Sequence, residues 1–273
     1  MVYEWKDKVV IITGAATGIG SGVVRILMNE GVKHVAVLDI AVDAGLVLQK
    51  ELNSKYGANK VKFYKCDVTN HDLFLGIFDE VVKEQGTLDV LINNAGIMND
   101  SYETYKKQID INVTALVAGT LRAMEIMGKN HGGKGGAVIN LASVAALSQS
   151  HLIPIYFATK SAVLQFTNCI GRDEYYSKTG VRMIVMCLGA TDTPLLSDAK
   201  LGSFDKEIAA TYQQALRADY PFQRMESAAQ GIVDAYKRGE SGSTWLANAD
   251  KPVKEITQNV QKAYSILSEP IYE

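Results

Sequence analysis

Six short runs rich in apolar residues, at 9–13, 34–39, 61–66, 89–92, 137–141 and 182–187, constrain this chain more than any other feature. Between them lie longer stretches with helical spacing, at 19–29, 42–55, 71–85, 102–129 and 155–177. A strand that is apolar along its whole length must be covered on both faces. A helix between two such strands supplies the crossover that lets them run parallel. A further short strand is expected at 244–246. The pattern predicts an α/β fold, a Rossmann-type doubly wound parallel sheet of about seven strands. No linker or internal repeat interrupts it, so residues 1–250 are expected to form a single domain, with 251–273 as a C-terminal tail. In that tail Val253, Ile256, Val260, Ala263 and Leu267 recur at helical spacing, which predicts an apolar stripe with a docking surface.

The 273 residues carry a formal net charge of −2, with lysines and arginines scattered. That balance argues against nucleic acid or an anionic membrane as a partner. The N-terminal residues lack the apolar core of a secretory signal, and a cytoplasmic protein is expected. Cys66, Cys169 and Cys187 show no paired spacing. They are read as buried small hydrophobes, and no metal site is expected.

The first strand runs into Thr13-Gly14-Ala15-Ala16-Thr17-Gly18-Ile19-Gly20. Glycines at a strand-to-helix junction allow a tight turn and let a pyrophosphate approach the backbone at the helix N-terminus. Asp39 ends the second strand, where an acid can accept bonds from a ribose hydroxyl and would repel a 2′-phosphate. No Arg or Lys follows it, so NAD is expected rather than NADP. Ser143 follows the fifth strand, at the sheet edge where ligands bind, and Tyr156 and Lys160 follow four residues apart, on one helix face. A phenol ordinarily titrates near pH 10. A cation beside it should favour the phenolate and make it a usable acid or base.

With these residues the chain resembles the short-chain dehydrogenase/reductase family. The likeness runs along nearly the whole length, through Thr13–Gly20, Asp67-Val68, Asn93-Asn94-Ala95-Gly96, Asn112, Ser143, Tyr156-Phe157-Ala158-Thr159-Lys160 and Thr193. It implies that Gly14, Thr17, Gly18, Ile19 and Gly20 cradle the cofactor, that Asp67 and Val68 hold the adenine, and that Asn93, Ala95 and Gly96 pass beneath the adenosine ribose. Gly189, Thr191 and Thr193 would face the nicotinamide. Asn112 would anchor a kinked helix and a proton-relay water, and Ser143 would bond the substrate oxygen. Tyr156 would exchange its proton, with Lys160 on the ribose. The family usually has Pro-Gly after the sixth strand. Here Leu188-Gly189 frees a backbone torsion near Thr193.

Within the family the chain is similar to the branch of insect alcohol dehydrogenases and NAD-dependent 15-hydroxyprostaglandin dehydrogenases. The latter typically place a glutamine where this chain has Ile153, which implies an apolar pocket wall and argues against prostaglandins. His151 lies in the same wall segment. Residues 195–219 are read as a lid over the substrate end or as a plain surface helix pair. The long 102–129 and 155–177 helices imply a homodimer, or a tetramer. The resulting expectation is an NAD-dependent enzyme interconverting a secondary or apolar alcohol and its carbonyl. Terpenoid, steroid-like and short-chain alcohols or ketones are its candidate small-molecule substrates. The alternative is a catalytically silent NAD-binding relative with a regulatory or storage role, which has no physical need of Asn112, Ser143, Tyr156 and Lys160 together.

Overall fold

The structure, a computed structural model, describes residues 2–197 and 200–271. Its centre is one sheet in the order β3-β2-β1-β4-β5-β6-β7-β8. The strands are β1 (Val9–Thr13), β2 (His34–Asp39), β3 (Val61–Lys65), β4 (Val90–Asn93), β5 (Gly136–Leu141), β6 (Val181–Leu188), β7 (Ser243–Ala247) and β8 (Lys254–Glu255). The first seven pair in parallel, as their apolar content predicts. The eighth, antiparallel to β7, was not expected. Its two residues are polar and exposed, so no apolar run announces it.

Side chains alternate along each strand, so one strand feeds two cores. Val10 and Ile12 of β1 point into a core with α1 (Gly18–Asn29), α2 (Val42–Tyr56) and α9 (Met225–Arg238). Val9 and Ile11 point the other way, into a core with α3 (His71–Gln85) and α5 (Leu116–Met127). On that face lies α6 (Pro154–Ile170), with Val163 and Leu164 against Val185 and Cys187 of β6.

Two long helices predicted from periodicity are each divided. The first comprises α4 (Tyr105–Ile109), a π-helical turn at Asp110–Ala115, and α5. The second breaks after α6, at Gly171 and Arg172, before α7 (Asp173–Thr179). Residues 195–219 hold a 3-10 turn (Pro194–Leu196) and α8 (Lys206–Asp219), while 198 and 199 lie outside the described residues. The tail forms β8 and α10 (Thr257–Ser268), and 272 and 273 also lie outside.

The tail's stripe does not stay together. Val260 packs with Ile256 against the α6 side of the sheet, but Ala263 and Leu267 are exposed. Among the cysteines Cys66 and Cys187 are buried, whereas Cys169 is exposed on α6, contrary to expectation. Its segment is periodic, but residue 169 falls on the outer stripe of the helix. Among the described residues no helix is long and apolar enough to cross a membrane.

Strand order reverses between β2 and β4, which flank β1. In open α/β sheets a crevice opens at the C-terminal strand ends at this switch point. Asp39, Asp67, Ser143 and Gly189, at or just beyond strand ends, lie along it.

Candidate active site

The β1–α1 turn is a cradle made of backbone. Gly14 and Gly18 sit at φ +63° and +57°, a region where side chains other than glycine are strained. A Cβ on Gly14 would meet the backbone of Ala95 at 2.8 Å, and one on Gly20 would meet the Gly14 carbonyl at 2.6 Å. The loop after β4 staples this turn. Asn94 Nδ2 donates to the carbonyls of Thr13 and Gly14 at 2.8 and 2.7 Å, and Thr13 Oγ1 accepts from the amides of Asn94 and Ala95. Thr17 caps α1 without a side-chain bond, and no acid stands in the first turn. The N-terminal amides and dipole of α1 therefore face the crevice without a competing carboxylate, which suits an anion.

Asp39 accepts from Ala16 N and Ala41 N, each at 2.9 Å. Each carboxylate oxygen keeps a further acceptor site. Asp67 accepts from Thr69 N and Oγ1 and pairs with Lys107 at 3.3 Å. The Thr69 bonds and Lys107 hold its carboxyl below the usual range, against the effect of burial.

A cavity of about 580 Å³ joins these groups to the catalytic candidates. Gly14, Thr17, Gly18, Ile19, Asp39, Asp67, Val68, Ala95 and Gly96 line one end, and Ser143, Ile153, Tyr156, Lys160, Gly189, Thr191 and Thr193 the other. Gly20, Asn93 and Asn112 do not line it. Asn93 needs correcting: its amide is buried and donates to Asn140, Thr120 and the Leu116 carbonyl, behind the crevice. A side chain committed there cannot lie beneath a ribose. Asn112 sits on the π-helical turn, donating to Ile97 O and Thr159 Oγ1 and accepting from Ile97 N. It thus ties the irregular helix to the β4 loop and to α6.

Ser143 Oγ accepts from Ala145 N at 3.2 Å and lies 3.3 Å from the Leu188 carbonyl. Tyr156 is buried and hydrogen-bonded to Ser143. Lys160 Nζ donates to the Leu141 carbonyl at 2.9 Å and stands 5.7 Å from the centre of the Tyr156 ring. Burial pushes the Tyr156 phenol up to about 12, although the Ser143 bond pulls it down. Burial also brings the Lys160 ammonium down to about 8, and the Cys187 thiol beside it acts in the opposite sense. The expected depression of the phenol by Lys160 is therefore not what this arrangement gives. Desolvation dominates, offset by the Ser143 bond, and the Lys160 ammonium is directed at the Leu141 carbonyl.

The wall at Gly189–Thr191 has a support the sequence did not reveal. Gln223 Nε2 bonds Thr191 Oγ1 at 3.1 Å and the Ala247 carbonyl at 3.0 Å, and it pairs backbone to backbone with residues 190 and 192. The torsion freed at Leu188 is thus steadied from outside the turn. Ile153 is buried among Met98, Ala145 and Leu152, with Phe157, Leu195 and Tyr220 at its edge. His151 is exposed.

Comparisons with known proteins agree with this architecture. The family model described as short chain dehydrogenase matches residues 8–202. The NAD(+) 15-hydroxyprostaglandin dehydrogenase of Mus musculus is 35% identical over 191 residues, 70% of this chain and 70% of that protein. Alcohol dehydrogenase 1 of Ceratitis capitata is 30% identical over 248 residues, 88% of this chain and 91% of that protein. Two solved structures share the fold. One is a short-chain type dehydrogenase/reductase from Mycobacterium marinum, with TM-score 0.77 and 24% identity, covering 91% of this chain and 96% of that one. The other is a 3-ketoacyl-(acyl-carrier-protein) reductase from Brucella melitensis complexed with NADH, with TM-score 0.75 and 20% identity, covering 90% and 98%. The family match spans most of the strands that build the crevice, and it includes both the glycine cradle and the Ser143–Tyr156–Lys160 group: the chain belongs to the short chain dehydrogenase family.

Proposed function

We propose that this protein is an NAD-dependent oxidoreductase that interconverts a secondary or otherwise apolar alcohol and its carbonyl. The observation that carries the reading is one cavity with the glycine cradle and Asp39 at one end and the Ser143–Tyr156 pair, beside apolar Ile153, at the other. The residues fit a dinucleotide. A Cβ at Gly14 or Gly20 would strike backbone, the α1 N-terminus carries no acid of its own, and Asp39 stands where a 2′-phosphate would be repelled. Gly14, Thr17, Gly18 and Ile19 would hold the pyrophosphate and Asp39 the adenosine ribose, with Asp67 and Val68 at the adenine. Lys160, Gly189, Thr191 and Thr193 would hold the nicotinamide end. When bound, NAD supplies the hydride acceptor, and its reduced form the hydride donor.

The chain's own residues manage the proton. Ser143 Oγ orients the substrate oxygen beside the Tyr156 hydroxyl. Tyr156 donates a proton to a carbonyl oxygen, or removes one from an alcohol. Its phenol, pushed up to about 12, favours the protonated form, which donates in carbonyl reduction, whereas alcohol oxidation draws on the phenolate, whose share rises with pH. Asn112 keeps α6 in register with the β4 loop. The wall of Met98, Ile153, Phe157, Leu195 and Tyr220 excludes water and accepts an apolar body, such as a terpenoid, steroid-like or short-chain alcohol.

In this proposal the described residues of 195–219 cover the substrate end, and the protein works in the cytoplasm as a homodimer. The outer faces of α5 and α6 suit a dimer: Leu121 is exposed on one, and small residues such as Ala158 and Ala162 on the other. Sedimentation at two concentrations tests it, and a monomer at both would refute it. For the activity, the test is a panel of alcohols and ketones followed at the nicotinamide absorbance with NAD and with NADP. Turnover with NAD is expected, with Asp39→Ala narrowing the preference. Equal kcat/KM with both cofactors in the unaltered protein would overturn the assignment of Asp39.

A further inference from the structure

We propose that Asp100 is a positioning residue, one that fixes the first turn of α6, and with it Tyr156, and ties that turn to the segment 200–203 at the substrate end of the cavity. Asp100 is fully buried. Its Oδ2 accepts from Ile155 N at 2.7 Å, and its Oδ1 from Tyr156 N at 3.0 Å and Gln108 Nε2 at 2.8 Å. Gln108, also fully buried, uses its remaining oxygen on Asn99 N at 2.6 Å. A buried carboxylate is costly unless it is well bonded. Here two helix amides, the helix dipole and a side-chain amide meet it.

The same residue faces outward through its backbone. Asp100 N donates to the Gly202 carbonyl at 2.8 Å, Asp100 bridges to Ser203, and Asn99 Nδ2 donates to the Lys200 carbonyl at 3.1 Å. Lys200 lines the cavity, and Leu201 packs at the edge of the cluster holding Ile153 and Tyr156. One residue therefore holds both the backbone of the proton-exchanging tyrosine and the strand of chain beside the substrate. In the first turn of α6, where intrahelical acceptors are lacking, Asp100 takes up the Tyr156 amide. A small displacement of the phenol from Ser143 is enough to cost rate. An asparagine could not replace the carboxylate fully, since it has one acceptor oxygen for two successive amides.

The inference rests on the reading of Tyr156 as the proton-exchanging group. Its test compares the unaltered protein with Asp100→Ala, Asp100→Asn, Asn70→Ala and Tyr156→Phe. Asn70 accepts from Leu73 N at the start of α3, so its loss removes a helix cap elsewhere. The assay is octan-2-ol oxidation with NAD, in H₂O and D₂O, together with hydrogen exchange at the amides of 155 and 156 with NAD alone. Asp100→Ala is expected to bind NAD normally, to lose about 10- to 100-fold in kcat, to show a larger solvent isotope effect, and to exchange faster at both amides. Asp100→Asn should fall between, and it carries the test if the alanine variant does not fold. Asn70→Ala should lose comparable thermal stability with kcat and isotope effect unchanged. Unchanged exchange at residue 156 in both Asp100 variants would overturn the proposal, even if octan-2-ol is not turned over. So would a kcat no lower than that of Asn70→Ala. If Tyr156→Phe keeps its kcat, the functional reading itself fails, a result distinct from a failure at Asp100 alone.

Discussion

The two ends of the cavity are built from different material. At the cradle end the shape is set by backbone. Gly14 and Gly18 take positive φ, and Gly14 and Gly20 leave no room for a Cβ. Asn94 and Thr13 stitch the two loops with bonds to main-chain atoms. At the substrate end the shape is set by apolar side chains from four separate segments: Met98, Ile153, Leu195 and Tyr220. A backbone cradle tolerates almost no substitution and recognises one chemical group. A side-chain wall can be repacked, and its selectivity follows volume. Tyr156 stands at the seam, bonded through its hydroxyl to Ser143 and held at its amide by Asp100.

The largest effect should come from cutting that seam. Tyr156→Phe removes the proposed proton-transfer group and keeps the ring, so kcat should drop about 10²–10⁴-fold. NAD binding, followed by fluorescence, should be unaltered, because the cradle is untouched. A phenylalanine variant with normal turnover would mean that the two ends meet at some other group.

Lys160 gives the second test. Burial lowers its ammonium to about 8, from 10.5. Below pH 8 both folded and unfolded chains carry the charge, and the fold bears the cost of burying it. From pH 8 to 10.5 the unfolded chain holds the extra proton, so stability from this group rises with pH. Lys160→Met, which keeps the buried stem, should abolish activity. At pH 7 its unfolding free energy from denaturant titration should nevertheless be higher by up to about 2 kcal/mol, after the loss of the Leu141 bond is counted. The advantage should vanish by about pH 10.5. A variant less stable than the parent at pH 7 would show that the ammonium is better solvated than its burial implies.

A third test sets the two ends directly against each other. Gly20→Ala puts a methyl against the Gly14 carbonyl and the Asn94 amide. It should raise the NAD KM, at an overpacking cost of about 1–3 kcal/mol, and leave the order of preference among alcohols unchanged. Ile153→Ala should do the reverse, with a NAD KM near normal and a shift toward bulkier alcohols. If both variants move both constants, the division between a backbone end and a side-chain end is wrong.

The sequence showed the cradle end better than the substrate end for the same physical reason. Continuous apolar runs mark parallel strands, and glycines mark backbone that no side chain can replace. The seven parallel strands and the crevice at β1 could be read that way. Periodicity did not show the π-helical turn at Asp110–Ala115, which only the resemblance implied as a kink at Asn112, because the Asn112 bonds to Ile97 and Thr159 are tertiary. The resemblance assigns Asn93 to the adenosine ribose, yet its side chain is committed to Asn140, Thr120 and Leu116. Its neighbour Asn94 faces the cradle instead, and a change of one position on a strand reverses the face. Asp100 and Gln223 gave no local signal at all. Each acts on residues about 30 to 55 positions away, and contact at that range is fixed by the fold and not by spacing.

The smallest expected effect concerns the tail, which belongs to neither end. Val253, Ile256 and Val260 lean on the sheet, so the first half of the predicted stripe is used within the chain. Beyond Val260 the helix α10 presents Ala263, Ile266 and Leu267 to solvent, with Ile266 at 59% and Leu267 at 73% exposure. An exposed last turn contributes little to a single chain, since helical stability comes mostly from packing. Deleting residues 263–273 should therefore change the unfolding free energy of a dilute sample by less than about 1 kcal/mol, with both KM values unaltered. Deleting 257–273 also removes Val260 and should cost more, because it uncovers Leu164 and Val185. If the shorter deletion instead lowers Tm strongly, and more at high protein concentration than at low, then Leu267 and its neighbours are packed against a second copy. The tail would then act between subunits, outside the division that organises the cavity.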